Sequence, residues 1–339
     1  MTLIKKLIND LPKAELHLHI EGSLEPELML ALANRNSLKL PYSSIDEIKQ
    51  AYDFSQLQDF LDVYYAGMSV LINEIDFYDL TMAYLKKCHI ENIKHVEIFF
   101  DPQGHTARGI DFSTVISGIN RALQDGLSQY GISYKTIMCF LRHLSQESAI
   151  NTLKQAKEYI HLIDGVGLDS SEVGNPPSKF KDVFAQAKNM GLKLVAHAGE
   201  EGPPSYIEEA LDILKIDRLD HGNSAMESEK LIAQLKQRQI ALTICPLSNL
   251  KLCVVNDLST HPLKAMLEEG LLATVNSDDP SYFGGYLIDN YLAIQEHLDL
   301  SEEQIVTLVK NSFIGSFLSA EEKSKYLNEI DDIQKRTSI

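Results

Sequence analysis

Eight short apolar runs recur along the chain, each followed by a segment long enough for a helix. They are Glu15–Ile20, His95–Phe100, Lys135–Leu141, Gly165–Ser170, Lys193–His197, Arg218–His221, Ile240–Cys245 and Leu272–Asp278. Mostly rich in Val, Ile, Leu, Phe or Thr, they read as buried parallel strands. Leu57–Glu91 predicts two helices broken near Asp76. Further helices are expected over Phe112–Tyr130, Gln146–Leu162, Ser178–Met190, Tyr206–Leu214, Glu227–Gln237 and Leu263–Glu269. Gly191 and Gly270 stand where a helix-ending glycine belongs. After the eighth run, Asp289–His297, Glu302–Phe317 and Glu321–Ile333 predict extra C-terminal helices. This alternation predicts an α/β fold of the closed (β/α)8 TIM-barrel type. An open doubly wound sheet is the alternative, but its first loop normally carries G-x-G-x-x-G, and here it reads HLHIEGS. No linker, repeat or low-complexity tract divides the sequence, so one barrel domain over residues 1–339 is expected.

Composition narrows the function. With 44% hydrophobic and 23% charged residues over 339 positions, the chain can bury a large core without staples. A net charge of −17 disfavours nucleic acid and anionic membrane as partners, because both need basic patches. No apolar run approaches the roughly 18 residues that span a bilayer. The N-terminus lacks a long apolar segment and a cleavage site of the secretory kind. None of the four cysteines forms a C-x-x-C pair, and three sit in apolar runs, as in a reduced cytoplasmic protein. A small-molecule substrate is therefore expected, and a homo-oligomer stays open.

In a barrel, chemistry sits at the C-terminal ends of the strands. The polar residues fall there repeatedly: His17-Leu18-His19 in strand one, His197-Ala198-Gly199-Glu200 in strand five, Asp220-His221-Gly222 in strand six, and Asn276-Ser277-Asp278-Asp279 in strand eight. Residues i and i+2 of a strand share a face, so His17 and His19 can reach one cation. An isolated H-x-H is as often two unrelated histidines. Here His197 and Asp278 stand at matching strand ends, which favours one metal nest, typically zinc. Gly199 lets the backbone approach a ligand. Glu200 would be costly at the rim without a task. Asp278 and Asp279 also suit a turn before Pro280. His105, His143, His161, His261 and His297 read as surface or structural residues, and Cys245 is assigned no nucleophilic role.

The motifs HLHIEG, SSEVGNPP, HAGEEGPPSY, RLDHG, TICPLSN and NSDDPSYFG together resemble the adenosine/adenine deaminase branch of the amidohydrolase superfamily. The resemblance runs from about Pro12 to Phe317 and implies one zinc and hydrolytic deamination of a 6-aminopurine. It assigns the metal ligands to His17, His19, His197 and Asp278, ring protonation to Glu200, and further active-site roles to His221 and Asp279. Three places look most like the bacterial and fungal adenine deaminases: Glu21, where adenosine deaminases have Asp; the strand-four end Asp169-Ser170-Ser171-Glu172, where they have an Ala-Gly turn; and the loop Cys245–Asn249. Glu21, Ser170, Ser171 and Glu172 are accordingly expected at the purine, with Glu172 accepting the imidazole N–H of adenine. His221 is expected to take or orient the water proton, and Asp279 to direct the attack.

Other readings stay open from the residues. A binuclear hydrolase usually places a modified lysine after strand four, and Leu168–Glu172 has none. A cytidine-deaminase site matches His19-Ile20-Glu21 but needs a C-x-x-C that is absent. Adenosine or an N6-substituted adenine remains an alternative substrate, and a non-catalytic purine-binding relative an alternative class.

Overall fold

The structure, a computed structural model, describes residues 3–52, 54 and 57–337. Its strands are β1 (Lys13–His19), β2 (Ile93–Phe100), β3 (Ser133–Leu141), β4 (Gly165–Asp169), β5 (Lys193–Ala198), β6 (Arg218–His221), β7 (Ala241–Ile244) and β8 (Leu272–Val275). They form one parallel sheet in the order β1 to β8. The two edges meet just past β8, where Leu18 bridges Asp278. The His19 amide donates to the Asp278 carbonyl (3.0 Å) and the Asp278 amide to the His17 carbonyl (3.1 Å). Closure therefore runs through two residues of the polar cluster itself. The barrel and the extra C-terminal helices match the expectation.

Four of the eight strands are buried along their whole length and the other four over most of it, which is why they read as continuous apolar runs. Phe99, Ile137, Cys139 and Val195 fill the interior. Nearby, Arg218 pairs with Glu97, which also accepts from His95 (3.1 Å) and from the Phe317 amide. Burial opposes the Glu97 charge, but Arg218 outweighs it and holds the carboxyl near pKa 2. The Phe317 ring covers the guanidinium at 4.6 Å.

Local differences from the sequence reading have physical causes. The helix break lies before Asp76: the helices are Leu57–Met68 and Glu74–Ile90, and Asp76 caps the second by accepting from the Asn73 (2.7 Å) and Ile72 (2.9 Å) amides. The regular part of strand eight ends at Val275, and Asp278, in the left-handed region (φ 64°), keeps only the isolated bridge to β1. Helices Leu3–Asp10, Pro26–Arg35 and Ile45–Gln50 add to those expected. Cys88, Cys139 and Cys245 are buried and Cys253 is exposed, all unpaired. No helix among the described residues is long and apolar enough to cross a membrane.

Candidate active site

The four residues expected at the metal converge. From β1, His17 Nε2 lies 3.3 Å and His19 Nε2 3.5 Å from Asp278 Oδ1. From β5, His197 Nε2 faces His19 Nε2 at 3.2 Å. The Phe99 ring packs against all three imidazoles at 4.9–5.7 Å between centroids. All four side chains are buried.

Hydrogen-bond bookkeeping shows that His17 presents a bare lone pair. The Thr243 hydroxyl donates to Asp220 Oδ1 (2.9 Å), so its oxygen accepts the proton of His17 Nδ1 at 2.8 Å. Nε2 is then unprotonated, buried, and has no hydrogen-bond partner. A lone pair facing a carboxylate oxygen needs a cation between them. Three imidazoles and one carboxylate are a donor set that zinc accepts. The residues therefore fit a metal ion. Asp220 backs the nest, with Oδ2 3.7 Å from His197 Nδ1.

Charge follows burial here. Burial opposes ionisation of Asp278, but His17, His221 and His19 outweigh it and hold the carboxyl well below its usual range. Burial, then the neighbouring imidazoles, push His197 well down. His221, at the end of β6 in the left-handed region (φ 61°), is lowered to about 3, chiefly by burial. Its Nε2 lies 3.5 Å from Glu200 Oε2 and 3.8 Å from Asp278 Oδ2. Burial, then the charge of Asp278, push Glu200 well above the carboxylate range. The same two causes raise Asp279. Gly22 makes room for Asp279: a Cβ there would lie 1.8 Å from Asp279 Oδ1.

A cavity opens beside this cluster. His19, His197, Glu200, His221, Asp278 and Asp279 line its polar side, together with Ser170. The helix Leu57–Met68 supplies Phe60, Leu61, Tyr64 and Tyr65 to its wall, and Leu252 and Phe283 complete the apolar part. Ser170 (φ 73°) bonds to His143 Nδ1 (2.9 Å) and to the Tyr65 hydroxyl (3.2 Å).

Four residues expected at the purine lie outside this lining: Glu21, Ser171, Glu172 and Gly199. Glu172 is the clearest correction. Its Oε1 accepts from the Gly199 amide (2.7 Å), and its Oε2 accepts from the amides of Glu200 (3.0 Å), Glu201 (2.9 Å) and Gly202 (2.9 Å). Its carboxylate is taken up by the Glu200 loop, and it does not line the cavity. Gly199 (φ 74°) serves the same turn, and a Cβ there would meet Ile207 at 2.5 Å. The Ser171 carbonyl accepts from Asn175 Nδ2 at 3.0 Å. Glu21 is held by His105: Arg108 donates to His105 Nδ1 (2.8 Å), so His105 Nε2 donates to Glu21 Oε1 (2.8 Å). Burial, then the Arg108 charge, lower His105 to about 3, and burial raises Glu21 to about 7.

Two cavity carboxyls were given no role in the sequence reading, Asp101 after β2 and Asp169 at the end of β4. Burial, then the charge of Asp101, push Asp169 well up. The signal was available, since Phe-Phe-Asp-Pro and Leu-Asp-Ser-Ser place both at strand ends.

Residues 12–333 match the family model described as adenosine deaminase. An adenine deaminase of Sphingopyxis alaskensis is 60% identical over 324 residues, covering 96% of this chain and 95% of that protein. The solved structure of adenine deaminase from Arthrobacter aurescens superposes with a TM-score of 0.94 at 48% identity, over 96% of this chain and 99% of that one. An amidohydrolase from Burkhoderia ambifaria with bound zinc shares the fold (TM-score 0.90) at 24% identity, over 100% and 95% of the two chains.

Proposed function

The chain belongs to the adenosine deaminase family, and on that premise we propose that it is an adenine deaminase: a hydrolase acting on the C–N bond of a cyclic amidine, converting adenine and water to hypoxanthine and ammonia. The place proposed for it is cytoplasmic purine salvage. What carries the reading is the geometry, with buried Glu200 3.5 Å from buried His221 at the mouth of a metal-fitting nest and its carboxyl pushed upward, in a chain whose near relatives are adenine deaminases.

One zinc ion is proposed, held by His17, His19, His197 and Asp278. When bound it supplies Lewis acidity that brings a water near pKa 7. The protein's own groups do the rest. Neutral His221 takes the proton of the attacking water. Protonated Glu200 gives its proton to ring N1, which makes C6 electrophilic. Asp279 orients the water through a hydrogen bond. The tetrahedral carbon at C6 then collapses: the amino group takes the proton His221 received from water, the C6–N bond breaks and ammonia leaves, the C6 hydroxyl proton passes to Glu200, and N1 keeps its proton in hypoxanthine.

The test is an ammonia-release assay on the zinc-loaded protein and on Glu200→Gln, with zinc measured in both. Glu200→Gln is expected to keep zinc and to lose about 10²–10⁴-fold in kcat. A loss below tenfold with chemistry rate-limiting refutes the role of Glu200.

A further inference from the structure

We propose that Asp101 is the residue that tells the free base from the nucleoside: its carboxylate accepts the imidazole N–H that adenine offers and adenosine lacks. This deepens the adenine-deaminase reading and rests on it. Asp101 and Asp169 are cavity carboxyls that the proposed chemistry leaves without a task. Both are 2% exposed. The Tyr64 hydroxyl donates to Asp101 Oδ2 at 3.3 Å, and Asp169 Oδ2 faces His19 Nδ1 at 3.5 Å. The two carboxyls hydrogen-bond to each other, but no amide, alcohol or ring N–H of the protein reaches Oδ1 of either. One shared proton cannot satisfy every oxygen of two buried carboxyls, and an acceptor left over is costly unless a ligand supplies the donor.

Placement selects Asp101 over its neighbour. Glu200 and His221 stand on one side of the imidazole nest. The Asp101–Asp169 pair stands on the other, behind His19, whose Nε2 faces Asp278 while Nδ1 faces Asp169. The two ends are thus joined only through His221, Asp278 and His19, at opposite sides of one cavity. With N1 at Glu200 after β5, walking back along the rim meets Asp169 at β4 and then Asp101 at β2. Walking round the purine from N1 meets N3 and then N9. Asp101 is therefore the carboxyl that stands at N9–H. Phe60 and Tyr64, 4% and 3% exposed, close the wall beside it where a ribose would have to pass. Glu172 cannot take this role, because four backbone amides already occupy its oxygens.

The experiment compares wild type with Asp101→Asn in three measurements: kcat/KM for adenine, the inhibition constant of 9-methyladenine, and bound zinc. The expected result is a fall of about 10²-fold in kcat/KM for adenine. The inhibition constant of 9-methyladenine, which has no N9–H to lose, should stay within about threefold, with zinc unchanged. A parallel loss on both ligands, or unchanged kcat/KM for adenine, overturns the inference. If Asp101→Asn fails to fold, wild type decides alone through bound hypoxanthine labelled with ¹⁵N at N9. A strongly downfield N9 proton is expected, and a shift like that in water overturns the inference. Wild type that deaminates no adenine defeats the functional reading and this inference with it, whereas a working adenine deaminase with unmoved discrimination defeats this inference alone.

Discussion

Replacing Glu172 by alanine removes the acceptor of four backbone amides, three of them in buried bonds, at 2.7–3.0 Å. A hydrogen bond to a charged acceptor is worth about 1.5–3 kcal/mol, so four at the lower figure give about 6 kcal/mol. Glu201 is exposed, and an open cavity lined by Glu200, Glu201 and Gly202 lets water reach part of the loop. Rehydration should offset about half, leaving a net loss of roughly 3 kcal/mol. Urea unfolding of the zinc-loaded protein measures it. Turnover should fall at least about tenfold, because the amide of Glu200 is one of the four anchors and catalysis is sensitive to such displacements. Removing the Glu172 charge also removes one of the causes that hold the Glu200 pKa up. The preference for adenine over adenosine should not move, since Glu172 stands behind the loop. A variant with stability unchanged within about 0.5 kcal/mol, a level ordinary for neutral surface changes, that gains adenosine turnover would refute the reasoning. It would return Glu172 to the substrate.

Three further outcomes are expected. His197→Ala should lose most of its zinc by metal analysis, because one of the four proposed donors is gone; full zinc with full turnover contradicts the nest. Gly22→Ala should cost about 1–3 kcal/mol through overpacking and cut kcat/KM with zinc retained, since its Cβ would lie 1.8 Å from Asp279 Oδ1; an unimpaired variant removes the claim that Gly22 seats Asp279. Lys13, buried with Nζ donating to the Ile8 (2.8 Å) and Leu11 (2.7 Å) carbonyls, is lowered to about 7, chiefly by burial. Between pH 7 and the ordinary lysine value the unfolded chain holds a proton that the folded one lacks, so stability should rise with pH across that window by the order of 1–4 kcal/mol. Lys13→Met should flatten that rise in pH-dependent urea unfolding, and an unchanged slope refutes the assignment.

The strands were legible because a barrel buries both faces of each strand, which writes it as an unbroken apolar run. Their ends were less so. Strand eight was expected to run to Asp278, yet the regular strand ends at Val275 and Asp278 joins β1 only through an isolated bridge, and backbone in the left-handed region leaves no compositional mark. His17, His19, His197 and Asp278 were readable because strand periodicity and strand ends converge on one rim. Glu172 was misread because its partners are amides, which carry no sequence signal until the loop folds back. The Glu21–His105 pair joins residues 84 positions apart, and only the packing of neighbouring elements shows it. The helix Leu57–Met68 was expected, but its pattern does not say that Tyr64 and Tyr65 wall the cavity. Asp101 obeyed the strand-end rule and was passed over because the histidine of β2, His95, stands near the start of the strand and none marks its C-terminal end.

The most direct test is a paired progress curve on the zinc-loaded protein, following ammonia and ultraviolet absorbance with adenine in one cell and adenosine in the other. The account predicts one ammonia and one hypoxanthine per adenine, with kcat/KM for adenosine lower by about 10³-fold or more, as a site built around a lost hydrogen bond and a closed wall requires. Comparable kcat/KM for the two substrates, or no ammonia from adenine, would contradict it.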